Sequence, residues 1–287
     1  MAHLLCFGLG YSAGYLAERV FTEGWTVSCT TRTSDSADRA RALGYAPIDI
    51  ANSPEGLQAV LSTVTHLLVS APPDRQGDPL LLGHAADIAA APALAWIGYL
   101  STIGVYGDRN GAWVDETSAP APGSDRSRWR LEAEKAWLAL GRSHRARVEI
   151  FRLPGIYGPG RSAIDTLRAG TARRIVKPGH VFNRIHVADI ANTLAAAIAT
   201  TVRHDIYNVT DDEPASSEEV LLFAARLLQM TPPPAIPLTS LDLSPMARSF
   251  YSECRRVSNQ RIKKDLGVKL AHPTFRDGLR AIAAAAS

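Results

Sequence analysis

Gly8, Gly10 and Ala13 stand at the spacing G-x-G-x-x-A, with Gly14 beside them as a further small residue. Two glycines leave a strand end without side chains to block a ligand. A helix that begins at once aims unpaired backbone N–H groups, and the positive end of its dipole, at the same gap. That chemistry suits a pyrophosphate and matches the fingerprint of dinucleotide-binding turns. Gly8, Gly10, Tyr11, Ser12 and Ala13 are therefore expected to line such a site. Arg32 offers a guanidinium at the end of the next strand, among Thr31, Thr33 and Ser34, with no acid before Asp35. An acid at that place bonds a ribose 2′-hydroxyl, whereas an arginine suits a 2′-phosphate, so NADP is favoured over NAD. A further group with chemistry is Ser101-Thr102-Ile103-Gly104-Val105-Tyr106-Gly107, which sets a hydroxyl and a phenol four residues apart.

These residues need elements to hold them. His3 to Phe7 reads as a buried strand and Tyr11 to Glu23 as a helix. Further strands are expected at Thr26 to Arg32, Ala46 to Ile50, His66 to Ser70, Leu94 to Leu100 and Val148 to Leu153. Helices are expected at Ser36 to Leu43, Leu57 to Ser62, Pro79 to Ala91 and Arg128 to Leu140. Strands alternating with helices at this spacing make a doubly wound parallel sheet, an α/β fold. Ligands of such sheets bind outside the strand ends. That adds Asp49, Ile50, Ser70, Ala71 and Pro72 as cofactor contacts, and Pro154 and Ile156 after the sixth strand. Beyond Gly160 the pattern changes. Ile164 to Ala169 is a short helix, Arg174 to Phe182 has the Pro and Gly of a hairpin, and Ile190 to Thr200 is an alanine-rich helix. Ser216 to Met230 is an amphipathic helix with Ser216 or Ser217 as its cap. The proline-broken remainder, with helices near Asn259 to Leu266 and Phe275 to Ala286, reads as a small second lobe.

Composition narrows the class. The chain of 287 residues is 46% hydrophobic and 21% charged, as expected of a globular protein. A net charge of +3 is too small to argue for nucleic acid. No apolar run reaches the roughly 18 residues of a membrane span, and the N-terminus lacks the pattern of a signal peptide. The three cysteines, Cys6, Cys29 and Cys254, have no metal-ligand spacing, so no metal is expected. Cys6 and Cys29 read as small buried hydrophobes in neighbouring strands, and a reducing cytoplasm is the expected setting.

The motifs line up in one order. Gly8 to Ala13 and Ser101 to Gly107 are followed by Arg152-Leu153-Pro154-Gly155-Ile156-Tyr157-Gly158-Pro159-Gly160. Then come Arg184-Ile185-His186-Val187-Ala188-Asp189-Ile190, Tyr207-Asn208-Val209 and Lys264-Asp265-Leu266-Gly267. Over nearly its whole length the chain resembles the extended short-chain dehydrogenase/reductases, also called the NAD-dependent epimerase/dehydratase family. The resemblance implies a Rossmann domain over 1–156 and 183–204, and a C-terminal substrate lobe over 157–182 and 205–287. It implies a small-molecule substrate with a carbonyl or hydroxyl group, often a nucleotide sugar. It also implies a homodimer packed through Pro79 to Ala91 and Arg128 to Leu140.

The family moves a hydride between nicotinamide and an oxygen-bearing carbon, with a tyrosine as acid/base whose pKa a lysine lowers. The resemblance gives Thr102 the hydroxyl that bonds the substrate oxygen. The family's Tyr-x-x-x-Lys is absent. Ala133-Glu134 matches the residues that trail it, which puts Arg130 in the lysine place and Arg126 in the tyrosine place. A guanidinium stays protonated at any usable pH, so Arg126 cannot act as the acid/base. The chain is thus similar to the atypical branch that keeps the cofactor fold without the usual pair. Tyr106, Tyr157 and His186 are the groups left to move a proton. Trp113, Trp129, Tyr157, Asn183 and Arg184 are expected at the substrate, Arg184 as a cation for its phosphates. An NAD(P)-dependent oxidoreductase or epimerase is the first expectation, and a non-catalytic NADP-binding redox sensor the second.

Overall fold

The computed structural model describes the whole chain except residues 51, 53, 144, 203, 243–249 and 286–287. It divides into two compact units. The first comprises Met1–Thr102, Asp125–Arg152 and Leu194–Tyr207, and the second Ile103–Ser124, Leu153–Thr193 and Asn208–Ser287.

The first unit is built on β1 (His3–Phe7), α1 (Tyr11–Thr22), β2 (Thr26–Thr31), α2 (Ser34–Ala42), β3 (Ala46–Asp49), α3 (Pro54–Leu61), β4 (His66–Val69), α4 (Pro79–Ala90) and β5 (Trp96–Thr102). To these it adds α5 (Asp125–Ser143), β7 (Arg147–Leu153) and β11 (Ile206–Asn208). Seven strands form one sheet in the order β11-β7-β5-β4-β1-β2-β3. The pairs β1–β2, β1–β4, β2–β3 and β4–β5 are parallel. Local signals agree with this outline. Thr33 and Ser36 close a capping box on α2, and Gly44 takes φ +81 just beyond its end. Asp78 caps α4, with Pro79 in its first turn. One face of the sheet buries Leu5, Leu67, Val69, Ile97 and Tyr99 against Leu57, Leu80, Ile88 and Trp137 of the helices. Cys6 and Cys29 face each other in register, both fully buried and reduced.

The second unit contains β6 (Trp113–Val114), β8 (Gly155–Tyr157), α6 (Ala163–Arg168), β9 (Arg174–Val176), β10 (Arg184–His186), α8 (Ser217–Leu227), β12 (Ala235–Pro237), β13 (Arg256–Val257), α9 (Gln260–Asp265) and α10 (Phe275–Ala285). The helix α7 (Val187–Ala199) runs from this unit into the first. The core of the second unit is Tyr157, Ile164, Leu167, Leu221, Ala224, Phe275, Leu279 and Ile282. Ser216 and Glu219 form the capping box of α8. The hairpin expected over Arg174 to Phe182 is not formed. β9 pairs instead with β12, in parallel, and β8 with β10. Parallel pairs need long connections, so the Pro and Gly at 178 and 179 serve a loop rather than a hairpin turn. No helix among the described residues is long and apolar enough to cross a membrane.

Candidate functional site

The sheet reverses its winding between β1 and β4, the place where open α/β sheets bind ligands. Gly8 follows β1 with φ +88. A Cβ there would meet Ser70 Oγ at 3.1 Å and the Ala71 backbone nitrogen at 3.3 Å. Its N–H donates to Thr30 Oγ1 at 2.9 Å, and its carbonyl accepts from Ser70 Oγ at 2.5 Å. The fold itself therefore requires glycine at position 8.

Gly10 is different. Its φ of −84 suits any residue. Apart from its chain neighbours, the one atom near an added Cβ is Ser70 Oγ, at 4.0 Å. The fold gives no reason for glycine here, and its effect is to leave the first turn of α1 open to close approach. No side chain caps that turn. Ser12 and Ala13 are buried behind it, and Tyr11 is half-buried. The cradle is one that a Cβ would fill, and its donors suit a pyrophosphate.

The strand ends around the cradle carry the other expected contacts. Arg32 is exposed just past β2 and makes no ion pair or hydrogen bond among the described residues. Thr33 is committed to its capping box. Asp49 pairs in register with Thr31 and accepts from Asn52 N–H at 3.2 Å and Asn52 Nδ2 at 2.8 Å. Ile50 is half-buried and donates its N–H to Thr31. Ser70 and Ala71 abut Gly8, and Pro72 is exposed beside them.

Thr102 ends β5 and is half-buried. On α5, Arg130 Nη1 donates to the Leu100 carbonyl at 2.7 Å and the Tyr99 hydroxyl at 3.2 Å, with the guanidinium 5.5 Å from the Tyr99 ring. This brings a cation to the end of β5. Arg126, one turn earlier, is exposed. One turn after Arg130 comes a buried network that motif reading did not find. Ser101 Oγ donates to Glu134 Oε1 at 2.5 Å, and Arg152 donates to Glu134 through Nε at 3.1 Å and Nη2 at 2.7 Å. The Ala133-Glu134 match hinted at Glu134, but nothing in the sequence pairs it with residues 101 and 152.

The second unit holds the remaining candidates. Tyr106 lies in a 3₁₀ turn, fully buried, and its hydroxyl donates to Asn208 Oδ1 at 2.8 Å. Pro154 and Ile156 are half-buried, Ile156 within β8. Trp113 is 61% exposed. Asn183 is buried and holds the backbone at Arg255 and Val257. Trp129, in the first unit, is half-buried. Tyr157 and Arg184 come together in the wall of a cavity of about 460 Å³, with Arg161, Val220, Phe275 and Leu279. His186, Asp189 and His272 bring potential ligand atoms within 4.8 Å of one another. Asp189 already accepts the Ala271 and His272 N–H groups at 2.7 and 3.0 Å, and His186 Nδ1 accepts that of Ala188.

Asp211 is a further residue that no motif pointed to. Its backbone N–H donates to the Arg184 carbonyl, and its side chain is buried with Oδ2 unpartnered. Burial pushes its pKa from 3.8 up to about 8, against the opposing pull of Arg184. The folded chain thus holds a proton that the unfolded chain releases near pH 4. The associated stability is full below that pH and is lost as pH rises toward 8. Asp211→Asn mimics the protonated form. It is expected to match the parent near pH 4 and to unfold several degrees higher at pH 8, as read from thermal melts across that range.

No protein-family model matches the chain. A solved structure of a functionally unknown conserved protein from Silicibacter pomeroyi is 46% identical, with both chains covered in full and a TM-score of 0.90. Protein YeeZ of Escherichia coli is 28% identical over 246 residues, 81% of this chain and 86% of that protein. UDP-glucose 4-epimerase of Thermus thermophilus, solved in complex with NAD, is 20% identical with a TM-score of 0.76, covering 99% of this chain and 98% of that one. The chain belongs to one family with the Silicibacter pomeroyi protein, and it has the fold of the extended short-chain dehydrogenase/reductases, the NAD-dependent epimerases/dehydratases.

Proposed function

We propose that the chain binds NADP(H) at the β1–α1 cradle and acts as an oxidoreductase on a small carbonyl or hydroxyl compound. The observation that carries this reading is Gly10, a glycine in an ordinary backbone conformation with open space where its side chain would be. Residues 8–13 would take the pyrophosphate through backbone N–H groups. Arg32, exposed and uncommitted among the described residues, would take a ribose 2′-phosphate. When bound, the nicotinamide would supply or accept the hydride. Arg130 would hold the cofactor's ribose, and Thr102 would orient the substrate oxygen. The second unit would supply the substrate site, at the cavity that Tyr157 and Arg184 line.

A non-catalytic NADP-binding protein is the second reading, and the state of the phenols favours it. Tyr106 is committed to Asn208, and the Tyr157 hydroxyl donates to the Thr274 carbonyl at 3.3 Å, with burial pushing its pKa up. Burial also drives His186 down to about 4. None of the three resembles an activated acid/base.

Calorimetric titration with NADPH and NADH tests the binding. The expected result is preference for NADPH, and Arg32→Glu is expected to shift the ratio toward NADH by ~10-fold or more, about 1.4 kcal/mol. Loss of NADPH absorbance with aldehydes and ketones separates the two readings. Binding without turnover across the panel supports the sensor.

A further inference from the structure

The cavity of the second unit has two kinds of wall. Val220, Phe275 and Leu279 present apolar surface, and Arg161 and Arg184 bring cations. Its one carboxylate, Asp165, accepts from Ser162 Oγ at 2.6 Å. The charges of the lining therefore sum to +1.

Arg184 uses a single nitrogen. Nη1 donates to the Phe182 carbonyl at 3.0 Å and the Ala215 carbonyl at 2.7 Å. Among the described residues, Nε and Nη2 have no partner and no carboxylate pairs with the guanidinium. Asp189 makes no salt bridge to Arg184 and is turned instead to the 271–272 backbone. Burial raises the pKa of the neighbouring Asp211, which weakens the compensation it offers the charge of Arg184. A half-buried guanidinium with a planar edge to spare favours a planar anion that accepts two parallel hydrogen bonds.

We propose that this cavity takes a monoanionic carboxylate carried on an apolar body. Arg184 holds the carboxylate, and Phe275, Val220 and Leu279 cover the body. This rests on the reading above that the second unit supplies the substrate site, and it replaces the nucleotide sugar with an apolar acid. A nucleoside diphosphate sugar brings two phosphate charges and a ring of hydroxyls, and the lining has a surplus of one cation and an apolar wall to offer them.

The test compares trans-cinnamate, its neutral amide and UDP-glucose by ligand-detected NMR and calorimetry on the full chain, with an NADPH titration in parallel. Cinnamate is expected to bind at least ~10-fold more tightly than cinnamamide. Arg184→Gln is expected to erase that difference. Because Arg184 also ties down two carbonyls, Thr166→Trp serves as the second variant. Thr166 is exposed on the cavity wall, and a tryptophan there would fill the space without touching the arginine's bonds. Equal affinity for acid and amide, no binding of cinnamate at millimolar concentration, tighter binding of UDP-glucose, or unchanged cinnamate binding in Thr166→Trp would each overturn the assignment. The NADPH titration keeps the two readings apart. Heat with NADPH but none with cinnamate rejects the acid site alone, and the converse rejects the cradle alone.

Discussion

Gly10→Val is expected to fold like the parent and to lose dinucleotide binding by at least ~100-fold, about 2.7 kcal/mol. The backbone at residue 10 is in a region open to any L-residue, and Ser70 Oγ lies at ordinary van der Waals distance from where a Cβ would stand. The thermal midpoint should therefore move by no more than a few degrees. A branched side chain at the start of α1 would occupy the space through which the pyrophosphate must approach the first-turn N–H groups. Gly8→Ala provides the contrast. At φ +88 an alanine costs roughly 1–2 kcal/mol in backbone strain, and its Cβ would press on Ser70 Oγ and the Ala71 backbone. That variant should lose stability as well as affinity. Circular dichroism melts paired with NADPH calorimetry read both quantities. If Gly10→Val binds NADPH with parental affinity, the cradle is not the nucleotide site.

The difference between the two glycines also marks how far sequence reading reaches. The parallel sheet was legible because β1, β4 and β5 are largely apolar runs, β2 is rich in β-branched residues, and helices separate them. The glycine turn was legible because its spacing is short-range. What escaped depends on partners far apart in the chain. β8 with β10 and β9 with β12 are three-residue strands, too short to show any period, and their pairing is set by tertiary packing. Tyr106 reads as a reactive phenol in its motif, yet it is buried on Asn208, 102 residues away. Trp113 reads as a pocket wall and stands largely in solvent. Arg184 and Tyr157 do meet at one cavity, but the sequence could not say that burial would raise the pKa of Asp211 beside them.

Glu134 is the position where loss should cost most. Its carboxylate is 2% exposed and accepts from Ser101 on β5 and twice from Arg152 on β7, so it ties α5 to two strands. Glu134→Ala would leave the guanidinium of Arg152, also 2% exposed, buried without its counter-charge. Breaking such a pair from one side costs about 3–5 kcal/mol. Glu134→Gln keeps the shape and one acceptor, so it should cost less than the alanine variant. Glu134→Leu combined with Arg152→Met removes both charges and should recover most of the loss, because the penalty lies in the stranded charge more than in the missing attraction. Chemical denaturation of the parent, Glu134→Leu, Arg152→Met and the double variant measures the coupling as a double-mutant cycle. The charge-free double variant should melt near the parent. Arg130 sits one turn earlier on the same helix, so the register that Glu134 fixes also fixes where that cation meets the end of β5. The double variant's affinity for NADPH then reports whether the network serves the helix's register alone. Parental affinity would mean that apolar packing holds Arg130 as well as the ion pair does. A loss of affinity at restored stability would mean that the buried charges position the cation.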